Sequence, residues 1–151
     1  MPERPHVSRE DGGHLWAVAK DEHILRMPDR TKLTPDQAVE LIRLTMLAGE
    51  SYVLAMKNRG IEIVRINYQE NGNWSYKPDS IARGEKPFLH VHLYGRRWGK
   101  RDFPEALIFP PRESGFYDDF EPLNEGDIAE IRKQISLLEN TEKYQLANWG
   151  L

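Results

Sequence analysis

Cysteine is absent from the 151-residue chain, and that absence removes disulfides, thiolate zinc sites and a cysteine nucleophile together. It leaves the compartment open. Long hydrophobic runs are also missing. No stretch approaches the roughly 20 apolar residues of a membrane span, and the opening "MPERPHVSREDGG" has no apolar core of a secretory signal. The expectation is a cytoplasmic protein with no membrane partner. An excess of one charge is lacking too: 21 Lys and Arg against 24 Asp and Glu leave a formal net charge of −3. With a pI near 6.0 there is no general basic field to attract nucleic acid, and none is expected as a partner. Cations gather locally in "GRRWGKR" (95–101), a pattern more often a solvated loop than a binding surface.

What is present is 39% hydrophobic and 30% charged residues, a balance that fits one globular domain with a real core. Residues 1–12 read as a loose polar segment with a short strand near Val7. "GHLWAVAK" from Gly13 reads as a strand, and residues 21–32 as a connection with an apolar patch. A helix is predicted over 34–57: Thr34 is a good N-cap, Pro35 fits the first helical position, and Gln37 completes a capping box. Ala38, Leu41, Ile42, Thr45, Ala48 and Tyr52 then recur at helical spacing, and Gly60 supplies the stop. "IEIVRIN" (61–67) alternates as a strand, and 68–86 is a long loop rich in Asn, Gly, Ser and Pro. A strand is predicted within 103–111. A second helix is predicted over about 124–140, with Ile128, Ile131, Ile135 and Leu138 on one stripe. There are no repeats, so the fold class is α+β in one domain, 1–151.

The chemistry concentrates in "KPFLHVHLYGR" (86–96). Alternate residues of a strand share a face, so Phe88, His90, His92 and Tyr94 point the same way, with the two imidazoles about 7 Å apart along the chain. Three readings are open. A metal would need a third ligand, and Gly95 and Arg96 stand where a cupin-like site wants a carboxylate. Two half-buried histidines satisfied by their neighbours are the plainest reading. Nucleophilic catalysis is the third: a neutral imidazole attacks phosphorus without a base, and a second on the same face donates to the phosphate oxygens as charge builds.

At this point the chain resembles the histidine triad (HIT) family of nucleotide hydrolases and transferases. The family motif is His-φ-His-φ-His-φ-φ, commonly preceded by Pro and followed by Pro-Arg. "PFLHVHLYGR" matches it at Pro87, His90, His92 and Arg96, with Phe88 in place of the first His and Gly95 in place of the later Pro. "GGHLWAVAKDEHILRM" looks like the family's "GHxLVxPKxHI" strand and turn, "LTPDQAVELIRLTM" like the helix that follows, and "IVRIN" like the strand ending in the family's nucleotide-site Asn, here Asn67. The resemblance covers about 12–97, leaving 98–151 as a C-terminal extension. A second register is open, with His90 as the first His, His92 as the nucleophile and Tyr94 as the third member; Pro87 and Arg96 favour the first.

The resemblance implies an antiparallel sheet of about five strands with one long helix across it, a C-terminal helix, and a homodimer. It implies a nucleotide substrate, a phosphoramidate or dinucleoside polyphosphate, hydrolysed or transferred through a covalent nucleotidyl group on His90. His92 would contact the phosphate and assist the leaving group. Asn67 would hold ribose or phosphate, Arg96 would attract phosphate, Phe88 would stand at the nucleotide site in place of the missing His, and His14 would lie on the base-binding wall, with a structural role the plainer alternative. Phe88 cannot support the nucleophile by hydrogen bonding, so orientation of His90 must come from elsewhere, such as a backbone carbonyl. No cofactor is required for the covalent step, and no resident metal is expected; Mg²⁺ would accompany a polyphosphate substrate. The alternatives are a nucleotide-binding module without turnover and a metal-dependent enzyme using the His pair. Trp74 and Tyr76 are candidates to stack on a base, Asp118, Asp119 and Glu121 to hold Mg²⁺, and Trp149 to lie at an interface; packing or solvated loops are the plainer readings of each.

Overall fold

The computed structural model describes residues 3–98 and 107–151, apart from the side chains of Glu22, Asn73 and Trp74. The Trp74 ring, the end of the cation-rich run at 99–101 and residues 103–106 of the strand expected within 103–111 lie outside the described residues. Among the described residues there are three strands, β1 (His14–Val18), β2 (Arg65–Gln69) and β3 (His90–Arg96), and four α-helices, α1 (Glu22–Leu25), α2 (Pro35–Asn58), α3 (Pro78–Ala82) and α4 (Glu125–Leu138). The sheet is antiparallel in the order β1-β3-β2, so the histidine-bearing strand is central.

The α+β class stands, but the expectation of about five strands is corrected to three among the described residues. Val7 is fully buried by side-chain packing and joins no ladder, and residues 107–111 have no regular secondary structure. β2 begins four residues later than its sequence pattern, at Arg65. Ile61 and Ile63 still face the core. The loop expected over 68–86 also breaks up: β2 continues to Gln69, a 3₁₀ turn covers Asn73–Tyr76, and α3 follows. Residues 3–12 are tied down rather than loose. Arg9 N–H bonds Glu121 O at 2.8 Å, and the Arg9 guanidinium grips the fully buried Asp127 of α4 at 2.6 and 2.9 Å.

The long helix starts as its sequence dictates. Thr34 Oγ1 accepts from Gln37 N–H, and the Gln37 side chain accepts in return from Thr34 N–H at 2.9 Å, closing the capping box ahead of Pro35. Asn124 and Asp127 form a second capping box on α4. Tyr52, Ala55 and Met56 of α2 pack on Val91 and Leu93 of β3, with Ile131 of α4 and Leu123 completing the same core. α2 therefore covers one face of the sheet, and the odd-numbered residues of β3 face it. Gly95 is the exception in size, because a side chain there would strike the backbone carbonyl of Gly12.

Candidate functional site

The even-numbered residues of β3 turn to the opposite face. His90, His92 and Tyr94 are 5%, 4% and 0% exposed, so this face is covered as well. Two segments cover it at the Tyr94 end. Val7 and Leu107 pack with Tyr94, and Phe109 packs against that cluster. The His6 ring lies 4.8 Å from the Phe109 ring and 5.7 Å from Tyr117. At the other end Phe88 stacks on His90 with centroids 4.4 Å apart, and half-exposed Trp16 stands edge-on to His90 and His92 at 5.9 and 5.6 Å.

His90 is held by the strand's own backbone. Its Nδ1 lies 2.8 Å from Phe88 O, and since a carbonyl only accepts, Nδ1 carries the proton. In the neutral ring the lone pair is then on Nε2. The orientation of the His90 ring is thus set by the main-chain carbonyl of Phe88, whose own side chain stacks on it.

His92 is held across the sheet. Trp16 is its partner on β1 in the backbone register, but its Nδ1 meets the ring of His14, two residues away on the same face, at 2.8 Å. The rings stack at 5.0 Å. His92 Nε2 is buried and has no hydrogen-bond partner. His14 has further neighbours: its Nδ1 accepts from the His6 backbone N–H at 3.2 Å, and Trp16 Nε1 lies 3.1 Å from its Nε2. Burial, reinforced by the neighbouring His90 and His6, pushes His92 down to about 3, and burial first, with His92 next, pushes His14 down to about 2. Both rings are therefore neutral near pH 7. His6 is lowered to about 4, by burial and by Arg112.

Asn67 and Arg96 are brought together, but at the far end of the face. Asn67 stands opposite Tyr94, and its Oδ1 accepts from Arg96 Nη1 at 3.2 Å. The β2 residue opposite His92 is Gln69, and Asn71 Nδ2 donates to the Tyr94 hydroxyl at 2.9 Å. Arg96 faces Arg65 across the sheet; burial and that second cation both pull it below its ordinary value. His14 faces the histidine cluster as a hydrogen-bonding member. Sequence reasoning missed His6, Trp16, Gln69 and Asn71; the β-register and the return of the N-terminal segment bring them here, and neither leaves a local signal.

Among the described residues no group of three or more His, Cys, Asp or Glu stands ready to hold a metal ion. No described helix is long and apolar enough to cross a membrane. The large rings of the 116–120 loop pack on one another, and Trp149 donates to Lys143 O at 2.8 Å.

No family model matches the sequence, and no curated protein matches it. Among solved structures, a hypothetical histidine triad nucleotide-binding protein from Sulfolobus tokodaii strain 7 is similar over 95% of this chain and 80% of its own, with a TM-score of 0.56 and 17% sequence identity. At that identity the likeness is one of fold, and the chain has a HIT-like α+β fold.

Proposed function

We propose that the protein binds nucleotides and is a hydrolase or nucleotidyl transferase acting on nucleoside phosphoramidates or dinucleoside polyphosphates. The carrying observation is the His90 Nδ1 bond to Phe88 O, which leaves the neutral ring's lone pair on Nε2. Fixing one nitrogen as donor makes the other a nucleophile without a separate base. His90 Nε2 attacks the α-phosphorus; an N–P bond forms as the bond to the leaving nitrogen or oxygen breaks, and the leaving group takes up a proton. Water then cleaves the N–P bond, releasing the nucleoside monophosphate and restoring His90.

His92 serves this reaction as a donor from Nε2 to a phosphate oxygen. A buried nitrogen without a partner costs about 1–3 kcal/mol, which a ligand oxygen would recover. Trp16 swings outward to admit the phosphate; it is 41% exposed, and its position beside both rings supports that role. Phe88 and Trp16 give the site apolar walls. Arg96 and Asn67 lie too far along the strand to touch the same phosphate and serve more distal parts of a substrate. Mg²⁺ enters this reading only with a polyphosphate, and no step depends on it.

A homodimer belongs to the same reading. Ile42 and Met46 on α2 and Val64 and Tyr68 at the β2 edge of the sheet leave large apolar side chains exposed. Sedimentation at several concentrations tests it.

A second reading, a binding module without turnover, is favoured by one observation: His92 Nε2 is sealed from solvent. Incubating wild type, His90→Ala and His92→Ala with AMP and GMP phosphoramidates and dinucleoside polyphosphates separates the two. Mononucleotide release by wild type, abolished in His90→Ala and reduced in His92→Ala, supports the enzyme. Saturable binding with no product supports the module, and the reverse ranking of the variants moves the nucleophile to His92.

A further inference from the structure

His14 is offered more donors than its neutral ring can accept. The His6 backbone N–H points at Nδ1 at 3.2 Å and the Trp16 indole N–H at Nε2 at 3.1 Å, while His92 Nδ1 lies 2.8 Å from the same Nε2. A neutral imidazole has one lone pair and one N–H, so only one proton arrangement satisfies the buried groups. With the proton on Nε2, His14 accepts from His6 and donates to His92 Nδ1, and the half-exposed Trp16 N–H turns to water. With the proton on Nδ1, the His6 amide faces another hydrogen, and two donors compete for one lone pair. The first arrangement strands no buried donor at this ring; the second does.

The His6 amide is itself held. Arg112 Nη2 donates to Arg4 O at 2.8 Å and to His6 Nδ1 at 3.2 Å. Pro5 and Val7 on either side of His6 are buried, and two residues on, Arg9 is anchored to Asp127 at 2.6 Å. Arg112 also stacks on the Tyr117 ring at 4.8 Å. The segment is thus stapled to the histidine face from both sides.

We propose that the N-terminal segment is a positioning device: the His6 backbone amide, held in place by Arg112, fixes His14 and through it His92 in the tautomer that carries its proton on Nε2. Where the proposed function holds, this proton is the one offered to the substrate phosphate, and in that respect the inference rests on the reading above. His6 and Arg112 act through His14 and need not touch substrate. The segment converts His92 from a side chain of undefined proton position into a fixed donor beside His90, whose own proton is fixed on Nδ1 by Phe88 O.

Long-range ¹H–¹⁵N correlation spectra of the histidine rings of the whole protein, without substrate, read the tautomers directly. In wild type, His14 and His92 should both show a protonated Nε2 and an unprotonated Nδ1 at pH 7. His6→Phe keeps the amide and an aromatic ring and should keep that pattern. His6→Pro deletes the amide and should shift both rings toward the Nδ1–H form, with a fall in kcat of about tenfold or more and little change in KM. Should His6→Pro disturb folding, Arg112→Gln, at an exposed position, should give the same shift in weaker form. Nδ1–H on His92 in wild type, or unchanged tautomers in both His6→Pro and Arg112→Gln, overturns the proposal. A protein with the expected tautomers but no turnover on any substrate loses the proposed function and keeps this inference.

Discussion

The two faces of β3 are both buried, yet they are organised by opposite rules. On the α2 side, Val91 and Leu93 meet Tyr52, Met56 and Ile131 in a packed apolar core. Burial there stabilises in proportion to area, and neighbours of similar volume are interchangeable at modest cost. On the other side His90, His92, His14 and His6 meet directional partners through ring nitrogens, while His92 Nε2 is buried without one. The lesson is that the alternation of one short strand separates an apolar packing face from a face of hydrogen-bonding rings.

That contrast breaks most severely at His90, the proposed nucleophile. On the proposed function, His90→Ala is expected to lower turnover at least about 10³-fold, because it removes the proposed nucleophile, and to destabilise by about 1–3 kcal/mol through the lost bond to Phe88 O; activity and calorimetry on the same samples check both. His92→Ala should cost about 10²–10³-fold in kcat through the lost donor. It should also destabilise by about 1–3 kcal/mol, since His14 Nε2 loses its partner, and denaturant titration reads that second effect. On the apolar face Leu93→Ala should do the converse, lowering stability by about 2–5 kcal/mol with kcat per folded molecule kept.

Acid sharpens the comparison. His14 and His92 lie at about 2 and about 3 in the folded chain against 6.5 in the unfolded one. Below pH 6.5 the unfolded chain therefore binds protons that the folded chain refuses. Stability is complete above that pH and falls as pH drops toward 3, by about 1.4 kcal/mol per pH unit for each such histidine. Denaturation midpoints from pH 7 to pH 4 should slope accordingly, and His14→Gln should flatten the slope by about one proton. The smallest effect belongs to neither face: Thr34→Ala should cost about 1 kcal/mol through the lost cap of α2, with no change in kcat or KM.

Legibility in the sequence followed the range of the interactions. α2 was readable almost to the residue because Thr34, Pro35 and Gln37 interact within one turn. The His90 contact to the backbone two residues earlier was open to the same reasoning, since a strand residue and its own chain decide it. Strand number was not legible. Val7, Leu107 and Phe109 have the composition of strand residues, but they are used to cover Tyr94 rather than to pair. His14 was legible as a strand residue, while its bond to His92 depends on the β1–β3 register, which no local pattern records. His6 lies in a polar opening segment whose return across the sheet is set by Arg9 and the distant Asp127. A single sequence does not reveal that pairing.

The central claim, that His90 Nε2 is the nucleophile of this face, is tested most directly by mass. Wild-type protein would be mixed with adenosine 5′-phosphoramidate, quenched within milliseconds at high pH, where phosphohistidine survives, and analysed intact and after digestion. The account expects a transient species heavier by one adenylyl group, mapped to the peptide of His90 and absent in His90→Ala. Turnover with no adduct at any time, or an adduct on His92, would contradict it.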